Sequence, residues 1–116
     1  MDSYFKDSEF VCKHCGELPK GGMDWDLVNL LNLIRKHFGK PVIVTSAYRC
    51  PTHNRNVGGV ADSQHVFGKA ADIYIDGVSP RELARVARLL GAHGVGIYKS
   101  GFVHVDTRGY EVYWED

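Results

Sequence analysis

The sequence predicts an α+β fold in which a mainly antiparallel sheet packs against two principal helices. Apolar residues recur at helical spacing over residues 24–38 and 79–90, which predicts the two helices. Four or five short stretches of β-branched or alternating apolar residues predict the strands, and the late ones are separated by glycine-bearing turns. Because the hairpins come late in the chain, this order of elements is typical of α+β proteins.

Length and charge set limits on the fold and on the partners. A chain of 116 residues predicts one domain, residues 1–116, large enough to bury a modest core. Fourteen basic and fourteen acidic residues give a formal net charge of zero. This argues against a nucleic-acid partner, because such proteins usually carry a basic patch. No apolar stretch approaches the length of a transmembrane helix, so we expect no membrane span.

The N-terminal third combines an anchoring segment with the first helix. Three aromatic side chains in a polar setting predict an extended or single-turn segment that lies against the core: Tyr4, Phe5 and Phe10. Residues 19–22 contain a proline and two glycines, which predicts a loop. The helix predicted over residues 24–38 begins with acidic residues, and Gly39 is placed to end it.

The middle of the chain predicts two strands around a short helical turn. Residues 41–46 are rich in β-branched side chains, which predicts a central strand. Pro51 suits the first position of a helical turn that ends at Asn56. The glycines in residues 57–60 predict a tight loop, and the second strand is predicted over residues 72–75.

The C-terminal third predicts the second helix, a hairpin and a last strand. Ser79 suits the N-cap of the helix, and Pro80 suits its first position. A three-residue loop that contains glycine joins predicted strands at residues 95–98 and 102–106, which indicates a hairpin. Residues 110–114 alternate aromatic and polar side chains, which predicts an outer strand.

Residues that could bind a metal ion occur in two of these stretches. His65 and Asp72 are too far apart for one helix face, but a turn that feeds a strand could bring them to one point as two zinc ligands. A third ligand is then needed, and strand 102–106 is expected to supply it, because alternation places residues 102, 104 and 106 on one face. Neutral imidazoles and one carboxylate, with a fourth position left to water, form the ligand set of catalytic zinc.

A series of short motifs covers nearly the whole chain, from Phe5 to Trp114. The motifs are S-x-Y-R at 46–49, H-N at 53–54, V-G-G at 57–59, S-x-H-x-x-G-x-A-x-D-I at 63–73 and F-V-H-V-D at 102–106. The series resembles the zinc D-alanyl-D-alanine carboxypeptidase family of cell-wall peptidases, and in particular its short single-domain branch in phages and bacteria. The wider superfamily includes hedgehog signalling domains, so the resemblance implies a hedgehog/DD-peptidase-like fold without settling the activity.

The resemblance implies a function and a set of site residues. The implied Zn²⁺ ligands are His65, Asp72 and His104. Arg49 is implied as a contact to the substrate or transition state, and Ser63 and His53 are predicted to contact the substrate. The implied activity is zinc-dependent hydrolysis of D-amino-acid-containing peptide bonds in peptidoglycan stem peptides or cross-links, by a carboxypeptidase or endopeptidase. The alternative is a metal-bearing cell-wall-binding or phage structural module of the same fold without hydrolytic activity.

The general base is where the sequence departs from this family. Relatives place a glutamate three residues, or a histidine two residues, before the final histidine, and here those positions hold Gly101 and Phe102. Asp106 lies on the same predicted strand face as His104, so it is predicted to be the base. Its competing roles are orientation of a histidine or pairing with Arg108, and the next candidate for the base is His53.

Three cysteines allow more than one interpretation. Cys12 and Cys15 form a C-x-x-C pair, and Cys50 lies far from them in sequence. The pair could be half of a structural zinc site that Cys50 and either His14 or His53 complete. The cysteines could instead be thiols without a ligand, or Cys50 could take part in a disulfide.

The N-terminus lacks the basic start and apolar core of a secretory signal. We therefore expect synthesis in the cytoplasm and action at the cell wall, with phage release or association with a virion as the route of delivery.

Overall fold

The computed structural model describes residues 3–59 and 63–116, and it has the predicted α+β architecture. After a short 3-10 helix at Asp7–Glu9, the helices are α1 (Trp25–Phe38), α2 (Pro51–Asn56) and α3 (Pro80–Leu89). The strands are β1 (Ile43–Ser46), β2 (Ala70–Tyr74), β3 (Gly94–Ile97), β4 (Val103–Asp106) and β5 (Val112–Glu115). Val60 of the predicted glycine loop lies outside the described residues, as do Met1 and Asp2.

The five strands form one sheet in the order β1-β2-β4-β3-β5, and all neighbours are antiparallel except β3 and β5. The predicted hairpin is confirmed, because β3 and β4 pair across a loop in which the Tyr98 N–H donates to the Phe102 carbonyl at 3.1 Å. The outer position predicted for the last strand is also confirmed.

The prediction that residues 41–46 form a central strand is wrong, because β1 is an edge strand. The β3–β4 hairpin occupies the other side of β2, and β1 therefore pairs with β2 alone. A β-branched stretch fits a pleated, half-buried surface, but its composition does not reveal how many strands lie beside it.

Helices α1 and α3 supply the apolar layer that covers one face of the sheet. Asp24 caps α1 by accepting from the Leu27 N–H at 3.1 Å, and Gly39 ends it in a left-handed conformation with φ of 65°. Ser79 caps α3 through the Glu82 N–H at 3.1 Å. The buried helical residues pack with the core side chains of β2 and β4: Leu27, Leu30, Leu31, Ile34, Leu83, Ala84, Ala87, Ile73, Val103 and Val105. Within residues 3–59 and 63–116, no helix combines the length and apolar character needed to cross a bilayer.

The opposite face of the sheet carries the polar residues of interest. In β4, Val103 and Val105 are fully buried in the core, whereas His104 and Asp106 lie on the other face, as the predicted alternation requires. The register pairs Asp72 of β2 directly with His104. Adjacent antiparallel strands therefore bring together a carboxylate and an imidazole that are 32 residues apart in sequence.

Candidate metal centre

Three buried side chains converge on one point at this face of the sheet. The Asp72 Oδ1 atom lies 3.2 Å from His65 Nε2 and 3.1 Å from His104 Nδ1. One donor atom from each residue lies within 4.8 Å of the other two. Nitrogen and oxygen ligands bonded to tetrahedral zinc at about 2 Å are separated from one another by about 3.3 Å. The observed spacing therefore fits a zinc-sized ion after small adjustments.

His65 lies in the turn that leads into β2, and its hydrogen bonding fixes which nitrogen faces Asp72. The His65 Nδ1 atom is 2.7 Å from the carbonyl oxygen of Ala47. A carbonyl oxygen only accepts, so Nδ1 carries a proton and Nε2 is the ring nitrogen that faces Asp72. Such a hydrogen bond on the distal nitrogen is typical of metal-binding histidines. Gly68 completes the turn with φ of 70°, a conformation that favours glycine.

Asp106 holds the ring of His104 from its other nitrogen. The His104 Nε2–H donates to Asp106 Oδ2 at 2.7 Å, and Nδ1 is the ring nitrogen that faces Asp72. Asp106 is fully buried and also accepts from Arg108, through Nη2 at 2.7 Å and through the backbone N–H at 3.1 Å. Asp106 therefore lies at the ring edge of His104 that faces away from Asp72.

Hydrogen bonds hold both carboxylates in their charged form. Burial alone would raise the pKa of Asp72, but hydrogen bonds with His104 and His65 outweigh burial and hold that pKa well below its usual range. Burial would likewise raise the pKa of Asp106, and hydrogen bonds from His104 and Arg108 reverse the effect. Both side chains are therefore anions at neutral pH.

Arg49 follows β1 and reaches the same carboxylate from the other side. Its Nη2 atom lies 3.3 Å from Asp72 Oδ2, and its Nε donates to Ser46 Oγ at 3.3 Å. The backbone N–H of Arg49 donates to the carbonyl of His65 at 3.2 Å, which ties the two motifs together. A permanent positive charge therefore lies next to the point where the three donor atoms meet.

An open cavity of about 350 Å³ gives access to this cluster. Arg49 and Ser63 line the cavity, and the Ser63 Oγ accepts from the His65 N–H at 3.3 Å. His53 and Asp106 are not among the described residues that line it. Helix α2 instead places the His53 ring against the ring of His14, with 6.1 Å between centroids. The substrate contact predicted for His53 therefore finds no support in the cavity lining.

An aromatic wall completes the cavity, and sequence reasoning missed it. The indole of Trp114 lies 5.1 Å from the His104 ring, and its Nε1–H donates to the Tyr98 hydroxyl at 3.0 Å. Tyr98 in turn stacks on Phe102 at 4.5 Å between centroids. Trp114 has room because it pairs with Gly96, where an added Cβ would come within 2.2 Å of the indole. The sequence signal that could have revealed this wall is the alternation of glycines in β3, at Gly94 and Gly96.

Gly94 makes equivalent room for Asp106, and we expect Gly94→Ala to destabilise the protein. The added Cβ would lie 2.1 Å from Asp106 Oδ2, and His104 and Arg108 hold that carboxylate in place. We expect the free energy of unfolding to fall by about 1–3 kcal/mol, which is typical of overpacking. The measurement is chemical denaturation. The control is Gly109→Ala, where an added Cβ meets nothing within 4 Å; equal stability of the two variants would contradict the prediction.

Comparisons with known proteins agree with this geometry. The sequence profile of the Peptidase M15 family matches residues 3–106. The chain is 39% identical over 74 residues to peptidoglycan L,D-endopeptidase MepK of Escherichia coli K12. The aligned region covers 59% of this chain and 41% of that protein. The same values hold for MepK of Shigella flexneri.

A second kind of relative shares a shorter region. The chain is 41% identical over 49 residues to the zinc D-Ala-D-Ala carboxypeptidase of Streptomyces albus G, covering 42% of this chain and 19% of that protein. The matched regions thus span less than half the length of these curated relatives. The family profile, in contrast, extends over most of the chain and includes all three converging side chains. This protein belongs to the Peptidase M15 family.

Proposed function

We propose that this protein is a zinc metallopeptidase that hydrolyses D-amino-acid-containing peptide bonds in the stem peptides or cross-links of bacterial peptidoglycan. The observation that carries the proposal is the convergence of His65 Nε2, Asp72 Oδ1 and His104 Nδ1 at ligand spacing beside an open cavity. The relatives named as a peptidoglycan endopeptidase and a zinc carboxypeptidase support the same chemistry. The proposed place of action is the cell wall, with release by a phage or association with a virion as the route.

The three converging side chains are the proposed Zn²⁺ ligands. When bound, zinc polarises a carbonyl group and lowers the pKa of water to about 7. The protein contributes the orientation of the ligands, because Ala47 and Asp106 hold the rings of His65 and His104 at their other nitrogens. Asp72 would supply the anionic ligand, since its pKa lies well below the usual range.

Arg49 is the proposed substrate contact. Its guanidinium lines the cavity next to Asp72 and carries a permanent charge. It can hold a substrate carboxylate or stabilise the oxyanion that develops during hydrolysis. Ser63 is proposed to contact the substrate at the same rim, and the aromatic wall of Tyr98, Phe102 and Trp114 offers an apolar surface for the peptide.

For Asp106 we propose a positioning role in place of the base predicted from the sequence. An effective general base has a pKa near the working pH, whereas hydrogen bonds from His104 and Arg108 hold the pKa of Asp106 far below it. Asp106 is also fully buried at the far edge of the His104 ring. These features favour orientation of His104.

The alternative, a metal-bearing wall-binding or phage structural module, is favoured by one specific observation. Gly101 and Phe102 occupy the positions of the family's base, and no carboxylate other than Asp72 lines the cavity among the residues described. The separating experiment incubates the protein with purified muropeptides, with chelator, and with chelator followed by added zinc. We expect cleavage that the chelator abolishes and zinc restores. Intact muropeptides after incubation with zinc-loaded protein would favour the binding module.

The same assay separates the two peptidase activities. Release of single D-alanine residues indicates a carboxypeptidase, and conversion of cross-linked dimers to monomers indicates an endopeptidase. Mass spectrometry of the products distinguishes the two.

Arg49→Gln is expected to lower kcat/KM for muropeptides by about a hundred- to a thousandfold, the usual cost of losing one transition-state donor. Zinc content, measured in parallel, reveals any indirect loss through Asp72. The control is Arg55→Gln on α2, an exposed side chain that contacts Thr52 and does not line the cavity. If both variants kept the original kcat/KM, Arg49 would have no part in the reaction.

A further inference from the structure

A second group of metal-binding side chains lies outside the cavity. The Sγ atoms of Cys12, Cys15 and Cys50 lie within 4.8 Å of one another, although Cys50 is 38 residues from Cys12. All three are free thiols. Cys12 is completely buried, Cys50 is partly buried and Cys15 is exposed. The fold thus joins the C-x-x-C pair to the cysteine that directly follows Arg49.

The backbone around the pair forms a tight turn. The Gly16 N–H donates to the Cys12 carbonyl at 2.7 Å, and the Cys12 N–H donates to the Glu17 carbonyl at 2.8 Å. Gly16 has φ of 72°, which lets the chain reverse immediately after Cys15. The two thiols of the pair therefore share one side of the turn, where Cys50 meets them.

Two backbone N–H groups donate to the sulfur atoms. The Cys50 N–H donates to Cys12 Sγ at 3.4 Å. The His53 N–H donates to Cys50 Sγ at 3.4 Å. Such donors stabilise negatively charged sulfur, which is the form that binds metal ions.

We propose that Cys12, Cys15 and Cys50 bind a structural Zn²⁺ ion as thiolates, with an imidazole of the stacked His14–His53 pair, whose nitrogens lie outside the 4.8 Å cluster, turning toward the sulfurs as the fourth ligand. Thiolates around tetrahedral zinc, bonded at about 2.3 Å, are separated by about 3.8 Å, so the cluster needs only a small contraction. His14 lies between two of the cysteines in sequence, and His53 is three residues after the third. A Cys₃His set with four protein ligands is typical of structural zinc, unlike the open set at His65, Asp72 and His104.

The ion would connect the N-terminal segment to the substrate contact. Immediately before Arg49, the Tyr48 N–H donates to the Phe10 carbonyl at 3.1 Å and joins the two segments through the backbone. A zinc ion that holds Cys50 to Cys12 and Cys15 fixes the chain directly after Arg49. The proposed ion is therefore structural and takes no part in hydrolysis.

The test is the metal content of protein purified under reducing conditions. We expect two zinc ions per chain, one in Cys15→Ser, and one in His65→Ala/His104→Ala. The control is Lys13→Ala, an exposed residue in the same turn, which is expected to keep two. With cobalt in place of zinc, thiolate-to-metal charge-transfer absorption is expected in the wild type and in the double histidine variant, but not in Cys15→Ser. Because Cys15 is exposed, its replacement should leave the circular dichroism spectrum unchanged.

The fourth ligand is tested with His14→Ala and His53→Ala. One of these variants is expected to weaken zinc binding at the cysteine cluster by at least about tenfold, and unchanged affinity in both would overturn the histidine assignment. Two results would overturn the cysteine site itself. One is a wild-type protein that contains only the single zinc equivalent lost in His65→Ala/His104→Ala. The other is a disulfide between two of the cysteines under reducing conditions. These results are independent of the muropeptide assay, so failure of the proposed function is recognised separately.

Discussion

His65→Ala/His104→Ala is expected to lose one zinc equivalent per chain and all measurable hydrolysis of muropeptides. The double replacement leaves Asp72 as the single one of the three proposed ligands, and Arg49 already pairs with that carboxylate. The fold should survive, because the apolar faces of α1 and α3 do not depend on the metal. The measurements are elemental analysis, product analysis and thermal melting of the same preparation.

The matched control for this variant is His37→Ala, an exposed histidine at the end of α1. It should keep the zinc content and the activity of the wild type. Unchanged zinc content in the double variant would show that the triad of His65, Asp72 and His104 is not the metal site. Loss of a cooperative melting transition would contradict the independence of the core from the ion.

Asp106→Asn is expected to weaken zinc binding at the triad by about ten- to a hundredfold, the usual effect of removing a partner of a metal-binding histidine. The amide keeps the shape of the carboxylate but loses the charge that fixes the His104 Nε2–H and pairs with Arg108. Turnover of the zinc-saturated variant should be nearly normal. Zinc titration and turnover of the same preparation give both quantities.

The opposite pattern would restore the sequence-based assignment of Asp106 as the base. Turnover would then fall by about a hundred- to ten-thousandfold at saturating zinc, with zinc affinity unchanged. Asp76→Asn, an exposed carboxylate after β2, is the control and should alter neither quantity. Normal values for both quantities in Asp106→Asn would remove Asp106 from the site.

The parts of the molecule that follow local rules were predictable from the sequence. Ser79 was predicted as the N-cap of the second helix and Gly39 as the end of the first, and both hold because helix ends depend on neighbours in sequence. Strand alternation placed His104 opposite the core valines for the same reason. The convergence of His65 with Asp72 needed only a turn leading into a strand.

The parts that depend on tertiary pairing were not predictable. The edge position of β1 follows from where the β3–β4 hairpin docks, which no residue in 41–46 encodes. Trp114 reaches the cavity because β5 pairs in parallel with β3 opposite Gly96. The direction of the His53 ring likewise depends on how α2 packs against the N-terminal turn.

The two arginine–carboxylate pairs around the triad determine the electrical potential that a substrate meets. Arg49 with Asp72 and Arg108 with Asp106 contribute equal numbers of positive and negative charges. With neutral imidazoles the centre is electrically neutral, and the chain as a whole has a formal net charge of zero. A bound dication would therefore be uncompensated and give the cavity a charge of about +2, felt over roughly 8–10 Å at ordinary ionic strength. Attraction of a peptide carboxylate over that distance would then depend on the metal ion itself, whereas Arg49 would act on contact.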